Sequence, residues 1–361
     1  MPIHNTAKLG GTASDVTVAK VGHGLMMMTW RGSGVVPDEQ CFEAIKAGID
    51  ALPPGTKALL NSGEFYANDL GTGNLELLAR FFDKHPGYAD KTFLSVKVRL
   101  LPASHSEHTT ELSVQGGRSA TGLGPDGSPE NLRRSVDNIN AALRGTKKLD
   151  LFESARVDHN VPVEESIKAL AGLIKEGKFD HIGLSECSAA TLRRAHAVHP
   201  IAAVEIEVSP WSYEEETKKV IAASKELGIS VVAYSPLGRG FLTGAIKSVD
   251  DLPENDMRRR FTRFGEEYMK HNLALVDALQ AIAAKKGCTP GQLSIAWVGS
   301  LGEHVIPLPG SSKKERTLEN LAGGDVVLTE ADLAEINAVL EKHEVKGDRY
   351  FGNPAAAHLW G

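Results

Sequence analysis

Cysteine is scarce in this chain. Its 361 residues hold three, Cys41, Cys187 and Cys288, far apart and with no CxxC pair. That argues against a disulfide framework and reads as small buried or half-buried thiols in a reducing compartment. Long hydrophobic runs are missing too, and nothing approaches the roughly 18 apolar residues that span a bilayer. The first residues, Met1–Thr6, carry neither a basic nor an apolar secretory segment, so the expected location is cytoplasmic. Positive charge is not in excess. Lys and Arg total 40 against 46 Asp and Glu, a formal net charge of −6, which gives no general pull toward nucleic acid or membrane. No His/Cys/Asp cluster has metal-ligand spacing, so no metal is expected. No G-x-S-x-G elbow marks a hydrolase. His159, at a strand-to-helix loop, reads as a solvated side chain. The Gly-rich piece Gly122–Gly127 lacks a helix in the register of a dinucleotide turn, so a Rossmann fingerprint is absent as well.

What is present is a repeat. Residues 1–24 hold short, Gly-punctuated, β-prone pieces that predict a small hairpin ahead of the main fold. Leu25–Trp30 reads as a first buried strand, and Pro37 opens a helix through Ala51. Strands then fall at 58–61, 93–98, 149–153, 180–184, 202–207, 229–233 and 304–307. Helices lie near 73–84, 129–144, 162–176, 188–198, 213–227, 270–286, 289–300 and 312–322. Repeated strand–helix units imply a parallel sheet with right-handed crossovers. Eight of them in one chain favour a (β/α)8 TIM barrel, with no point at which a second domain begins. The expectation is one domain over 1–361, with the hairpin at 1–24 and a tail, 345–361, that folds over the barrel mouth or frays. Two long loops, Gln115–Ser128 and Ser235–Tyr268, follow strands and should lie over the C-terminal mouth, where barrel enzymes place their sites.

Two strand ends carry chemistry. Ala58–Leu60 stops in Asn61-Ser62-Gly63, with Tyr66 just beyond, and 93–98 carries Lys97 in an otherwise apolar run. A buried lysine is costly unless its charge has a partner or a task. As parallel neighbours, the two strands bring Tyr66 and Lys97 to the same sheet end. A phenol of pKa about 10 is a poor proton donor at neutral pH, and a nearby ammonium pulls that value down. Each residue alone also reads as an edge tyrosine or a snorkelling lysine. Farther on, Pro309-Gly310-Ser311-Ser312-Lys313-Lys314-Glu315-Arg316 places hydroxyls and three cations at a helix start. Cations there oppose the helix dipole, which favours a bound phosphate.

With these pieces in order, the chain resembles the aldo-keto reductases over nearly its whole length. Asn61–Tyr66 is similar to the family's Asp-x-x-x-x-Tyr segment, and Val96-Lys97 to its catalytic-lysine strand. Gly183-Leu184-Ser185 with Leu192–Ala195 resembles another family segment, Tyr234–Gly244 is a near-verbatim family stretch, and Ile306–Asn320 resembles the 2′-phosphate segment. Gly63–Tyr66, Leu149–Asp158 and Ala202–Glu207 look most like the fungal pyridoxal reductases. The resemblance implies hydride transfer from NADPH to a small-molecule aldehyde, with pyridoxal reduced to pyridoxine in vitamin B6 metabolism, and it favours a monomer. Carried over by position, Tyr66 is the general acid, Lys97 tunes its pKa, and Asn61 stands beside the lysine. Ser185 and Tyr234 seat the nicotinamide, and Glu186 and Glu205 fall at the positions that contact its amide. Ser235, Leu237, Gly238 and Gly240 belong to the loop over the pyrophosphate. Ser311, Lys313 and Arg316 hold the 2′-phosphate, with Glu319 and Asn320 near the adenine.

Four positions depart from the family pattern. Asn61 replaces an aspartate, so Lys97 should depress the Tyr66 pKa further unless burial deprotonates the lysine first. Ala155 replaces a histidine and removes a donor to the carbonyl, a loss of about 2–4 kcal/mol in comparable sites. Glu186 and Glu205 replace amides, and a carboxylate accepts from a carboxamide but cannot donate to it. These changes leave open reduction of other aromatic aldehydes, or a nucleotide-sensing barrel that has lost catalysis.

Overall fold

The computed structural model describes residues 3–32, 34–98, 125–350 and 359–361, with the backbone of 101–102 and 123–124. The chain opens with an antiparallel hairpin, β1 (Thr6–Lys8) and β2 (Thr17–Ala19), followed by β3 (His23–Gly24), α1 (Met26–Thr29) and α2 (Asp38–Asp50). Then come β4 (Ala58–Gly63), α3 (Gly73–Lys84), β5 (Thr92–Lys97), a ribbon of β6 (Leu101–Pro102) and β7 (Leu123–Gly124), and α4 (Pro129–Leu143). Strict alternation follows: β8 (Leu151–Ser154), α5 (Val163–Lys175), β9 (His181–Ser185), α6 (Ala189–Val198), β10 (Ala203–Glu207), α7 (Glu215–Leu227) and β11 (Ser230–Tyr234). The chain continues through α8 (Glu266–Lys286), α9 (Pro290–Ser300), β12 (Val305–Leu308), α10 (Lys314–Ala322) and α11 (Glu330–Lys342).

Eight strands pair in parallel in the order β12-β11-β10-β9-β8-β5-β4-β3. A bridge between Gly24 and Gly310 joins the two ends, with Gly22 N donating to Pro307 O at 2.9 Å and Gly24 N to Pro309 O at 3.0 Å. The sheet is thereby the (β/α)8 barrel expected from the repeat. Helices start where capping chemistry allows: Ser128 accepts from Asn131 N ahead of Pro129, and Thr289 and Gln292 form a capping box at α9.

Leu25–Trp30 is not the first strand. Only His23–Gly24 pairs with β4, and Met26–Thr29 coils into one helical turn. The run Leu-Met-Met-Met has no β-branched residue, and both residue types are good helix formers. Helix α11, opened by a Thr329–Asp332 capping box, adds to the elements read from sequence. The loop expected over Gln115–Ser128 lies largely outside the described residues.

The interior of the barrel is layered. Side chains alternate along each strand, and Leu59, Phe93, Leu151, Ala203, Val232 and Ile306 form one apolar cluster with Leu9, Ala13 and Val18 of the hairpin region. The hairpin therefore plugs the N-terminal end. Two residues farther along four of the strands, toward the opposite end, the layer turns polar: Asn61, Ser95, Glu153 and Glu205, all buried. The helices pack outside against a second, larger apolar cluster.

Candidate active site

Register brings the tyrosine and lysine strands together. Gly63 of β4 sits opposite Lys97 of β5. A side chain at Gly63 would meet the Tyr66 ring at 3.0 Å, so its absence lets the phenol fold back over the strand end. Thr29 fixes the turn by donating to Tyr66 O at 2.6 Å. Trp30 and Phe65 wall the ring, with centroids 5.9 and 5.1 Å from it. Lys97 Nζ lies 5.2 Å from the Tyr66 ring centroid.

The polar layer sits behind this pair. Lys97 Nζ donates to Asn61 Oδ1 at 2.6 Å and lies 3.0 Å from both oxygens of Glu205 and 3.7 Å from Glu153. Asn61 Nδ2 in turn donates to Glu205 at 2.6 Å, and Ser95 Oγ to Glu153 at 3.0 Å. Burial and the neighbouring Glu205 push the Glu153 carboxyl well above its usual range, which favours its protonated form. Lys97 is the reverse case. Burial disfavours its charge, but Glu205, Tyr66 and Glu153 outweigh burial and hold the ammonium above its ordinary pKa.

This overturns the expectation that losing a carboxylate at Asn61 lowers the Tyr66 pKa. Burial pushes the phenol up to about 12; Lys97 opposes that, and Glu205 reinforces it. The negative charge was moved, not lost. It stands on β10 instead of β4, and Asn61 links it to the lysine.

Glu205 thus faces Lys97, while Glu186 and Tyr234 meet elsewhere in the mouth. Glu186 follows β9 with φ +51° and is fully buried. Its Oε1 accepts from Tyr234 Oη at 2.8 Å, from Arg349 Nη2 at 3.0 Å and from Glu207 N at 3.0 Å. Glu207 also pairs with Arg239 and Arg349, each at 3.2 Å. These arginines outweigh burial and hold the Glu207 carboxyl below its usual range. Ser185 is buried beside this group. The loop after β11 is backbone-strained. Ser235 and Arg239 join Glu186 in having positive φ, as do Gly238 and Gly240, and such strain concentrates at functional sites.

The tail contributes directly. Lys346 N donates to Asn272 Oδ1 at 2.9 Å and Arg263 Nε to Gly347 O at 3.0 Å. That anchorage delivers Arg349 into the mouth and sets the Tyr350 hydroxyl 2.8 Å from that of Tyr234. Trp360 N donates to Glu186 O at 2.9 Å. Sequence reasoning missed Glu153, Glu207, Arg239, Arg349 and Tyr350. Ala155 is buried, and the adjacent Arg156 turns back to donate to its carbonyl oxygen at 2.5 Å. His159 is exposed.

At the far edge, β12 runs through Leu308 into Ser311, whose Oγ accepts from Lys313 N at 3.1 Å. Lys314 pairs with Glu43 at 3.3 Å. Lys313 and Arg316 have no ion-pair partner among the described residues, so two cations stand available beside the start of α10. Glu319 accepts from Thr289 at 2.9 Å, and Asn320 is buried nearby. Among the described residues, no group of three or more His, Cys, Asp or Glu is placed to hold a metal, and no helix is long and apolar enough to cross a membrane.

The aldo/keto reductase family model matches residues 20–341. A Schizosaccharomyces pombe protein called "Probable pyridoxal reductase 2" is 37% identical over 355 residues, 97% of each chain. An aldo-keto reductase of Strobilurus tenacellus, str7, is 36% identical over 339 residues, 92% of each. A solved glycerol dehydrogenase from Gluconobacter oxydans has a TM-score of 0.75 at 22% identity, over 97% of this chain and 98% of that one, a likeness of fold.

Proposed function

This chain belongs to the aldo/keto reductase family, and we propose that it reduces pyridoxal to pyridoxine with NADPH, Tyr66 donating the proton. The observation that carries the reading is the buried Tyr66–Lys97–Asn61–Glu205 constellation at the C-terminal mouth. The donor set suits a phosphorylated dinucleotide. Lys313 and Arg316 offer uncommitted cations to a 2′-phosphate dianion, and the four positive-φ residues of loop 235–240 give it the curved backbone of an anion nest for a pyrophosphate, with Gly238 N and Gly240 N donating inside the loop to Ser235 O and Leu237 O.

When bound, the dinucleotide supplies the hydride. Tyr66 holds its proton across the neutral range and points it at the carbonyl oxygen. As negative charge develops there, the phenolic proton moves to that oxygen. Lys97, kept charged by Glu205, stabilises the phenolate left behind. Trp30 and Phe65 present aromatic surface to a planar ring and exclude water from the transfer.

Pyridoxal is supported by the fungal relative and by Ala155. Position 155 offers no histidine to donate to the carbonyl, and a phenolic hydroxyl ortho to the aldehyde can donate internally instead. The test compares pyridoxal with an isosteric pyridine aldehyde lacking that hydroxyl. The expected kcat/KM ratio is about tenfold or more in favour of pyridoxal, narrowed by Ala155→His. Equal values for the two aldehydes would remove the pyridoxal assignment. A second reading, a nucleotide-sensing barrel, draws on the same Asn61 and Ala155; tight NADPH binding with no turnover of any aldehyde would favour it.

A further inference from the structure

The short segment between β12 and α10 is held by side chains from the far end of the chain. His23, the first residue of β3, is buried, and its Nε2 lies 2.8 Å from Ser311 O. A carbonyl oxygen only accepts, so Nε2 carries a proton and donates it. Gln40, half-buried in the first turn of α2, donates from Nε2 to Ser312 O, also at 2.8 Å. Two successive carbonyls are thus pinned by donors 288 and 272 positions away, so the segment does not set its own direction.

The pinning reaches the N–H groups. Cis peptide bonds are absent among the described residues, and in a trans peptide the N–H points opposite to the C=O. With Ser311 O drawn toward β3 and Ser312 O toward α2, the N–H groups of Ser312 and Lys313 turn the other way. Lys313 N donates to Ser311 Oγ at 3.1 Å, while Ser312 N has no hydrogen-bond partner among the described residues. Ser311 Oγ donates to Lys313 O at 2.9 Å, an oxygen that also accepts from Thr317 N at 2.9 Å and Thr317 Oγ1 at 3.0 Å. The Ser311 hydroxyl is therefore able to turn to another acceptor without orphaning that carbonyl. The flanking elements are seated to match. Gly24, beside His23, bridges Gly310. Glu43 of α2 pairs with Lys314 at 3.3 Å, and a Cβ at Gly48 of α2 would meet Thr317 Cγ2 at 3.1 Å, so its absence lets α10 approach.

We propose that His23 and Gln40 are positioning residues for the phosphate seat: by pinning the carbonyls of Ser311 and Ser312 they aim the Ser312 N–H, and the Ser311 and Lys313 side chains on the same backbone, at a 2′-phosphate, and so favour a phosphorylated dinucleotide. This rests on the reading of that segment as the 2′-phosphate seat. Water could serve the half-buried Ser312 carbonyl as well as Gln40 does; what the side chain adds is a fixed direction.

The test measures dissociation constants of the full-length protein for NADPH, NADH and 2′,5′-ADP. His23→Leu removes the donor, and His23→Gln keeps an amide donor at a similar reach. His23→Leu should weaken NADPH and 2′,5′-ADP by about fivefold, one neutral hydrogen bond being lost, and change NADH little. His23→Gln should recover most of that loss, and Gln40→Leu should act as His23→Leu does. A purely structural role would lower Tm without separating the two dinucleotides. His23→Leu weakening NADPH and NADH equally, or leaving NADPH unchanged, would overturn the proposal, as would His23→Gln being no better than His23→Leu. Should His23→Leu not fold, Gln40→Leu decides alone, and unchanged NADPH affinity there overturns the proposal. Failure of 2′,5′-ADP to bind the unaltered protein would instead remove the 2′-phosphate reading on which the proposal depends.

Discussion

Glu205 accepts a 2.6 Å hydrogen bond from Asn61 Nδ2 while both of its oxygens lie 3.0 Å from Lys97 Nζ. The carboxylate that balances the buried lysine therefore sits on β10, and the residue beside the lysine on β4 is a neutral bridge. The charge state of Tyr66, the proposed proton donor, depends on this arrangement.

Glu205→Gln tests the dependence through pH. Glu205 raises the Tyr66 pKa, which stands at about 12 in the intact site. Removing its charge leaves Lys97 less opposed, so the phenol ionises at lower pH. The intact enzyme should show no alkaline loss of kcat/KM from Tyr66 until close to that value, and the variant should lose activity earlier. An unchanged alkaline limb would show that Glu205 does not act on Tyr66.

Restoring an aspartate at position 61 should not help. The new carboxylate would face Glu205 at hydrogen-bond distance, with Glu153 behind it, and the bridge donor would be gone. Lys97 Nζ, 2.6 Å from Oδ1, opposes this, but that one ammonium is already shared with Glu205, so burial and the neighbouring carboxylates raise the folded pKa above the unfolded value of about 3.9. Such a group weakens the fold above its unfolded pKa, and the deficit grows until pH passes the folded pKa. Asn61→Asp should therefore be less stable than the parent by about 1–3 kcal/mol at neutral pH, with the gap narrowing in acid. Denaturant melts across pH check this; a variant as stable as the parent at neutral pH contradicts it.

On the proposed reading, Lys313 and Arg316 set cofactor choice. Replacing both with alanine should raise the NADPH dissociation constant by about tenfold or more, two charge-assisted contacts being lost, and change NADH little. Equal losses for both would remove the 2′-phosphate assignment.

Gly183 is constrained by the same polar layer. A Cβ there would meet Leu151 Cδ2 at 2.8 Å and Glu153 Cβ at 3.0 Å. Gly183→Ala should cost about 1–3 kcal/mol, read as a drop in Tm, and should shift Glu153 against Lys97. A variant with unchanged Tm and activity would show that this wall of the barrel yields.

Much of this was legible locally. The strand–helix cycle predicted the barrel, and two short segments placed Tyr66 and Lys97 at one mouth because parallel neighbours end together. The polar layer carried a signal that the linear reading left unused. Leu59, Phe93, Leu151 and Ala203 each precede, by two residues, Asn61, Ser95, Glu153 and Glu205, so four strands turn from apolar to polar at the same depth. Reading Glu205 from family position alone set it at the cofactor amide and hid its contact with Lys97. Arg349 and Tyr350 had no such signal. They lie in an aperiodic tail, and their place depends on anchoring contacts to α8 and the loop before it. The one-turn helix at Met26–Thr29 was read as a strand because a short apolar run does not separate the two states.

Proton delivery from Tyr66 to an aldehyde is open to a direct measurement. NADPH absorbance is followed on adding pyridoxal to the intact protein and to Tyr66→Phe, with NADPH affinity measured in both. The expected result is turnover by the intact protein, a loss of about 10²-fold or more in the variant, and unchanged NADPH affinity. Turnover by Tyr66→Phe at the parent's rate would contradict it.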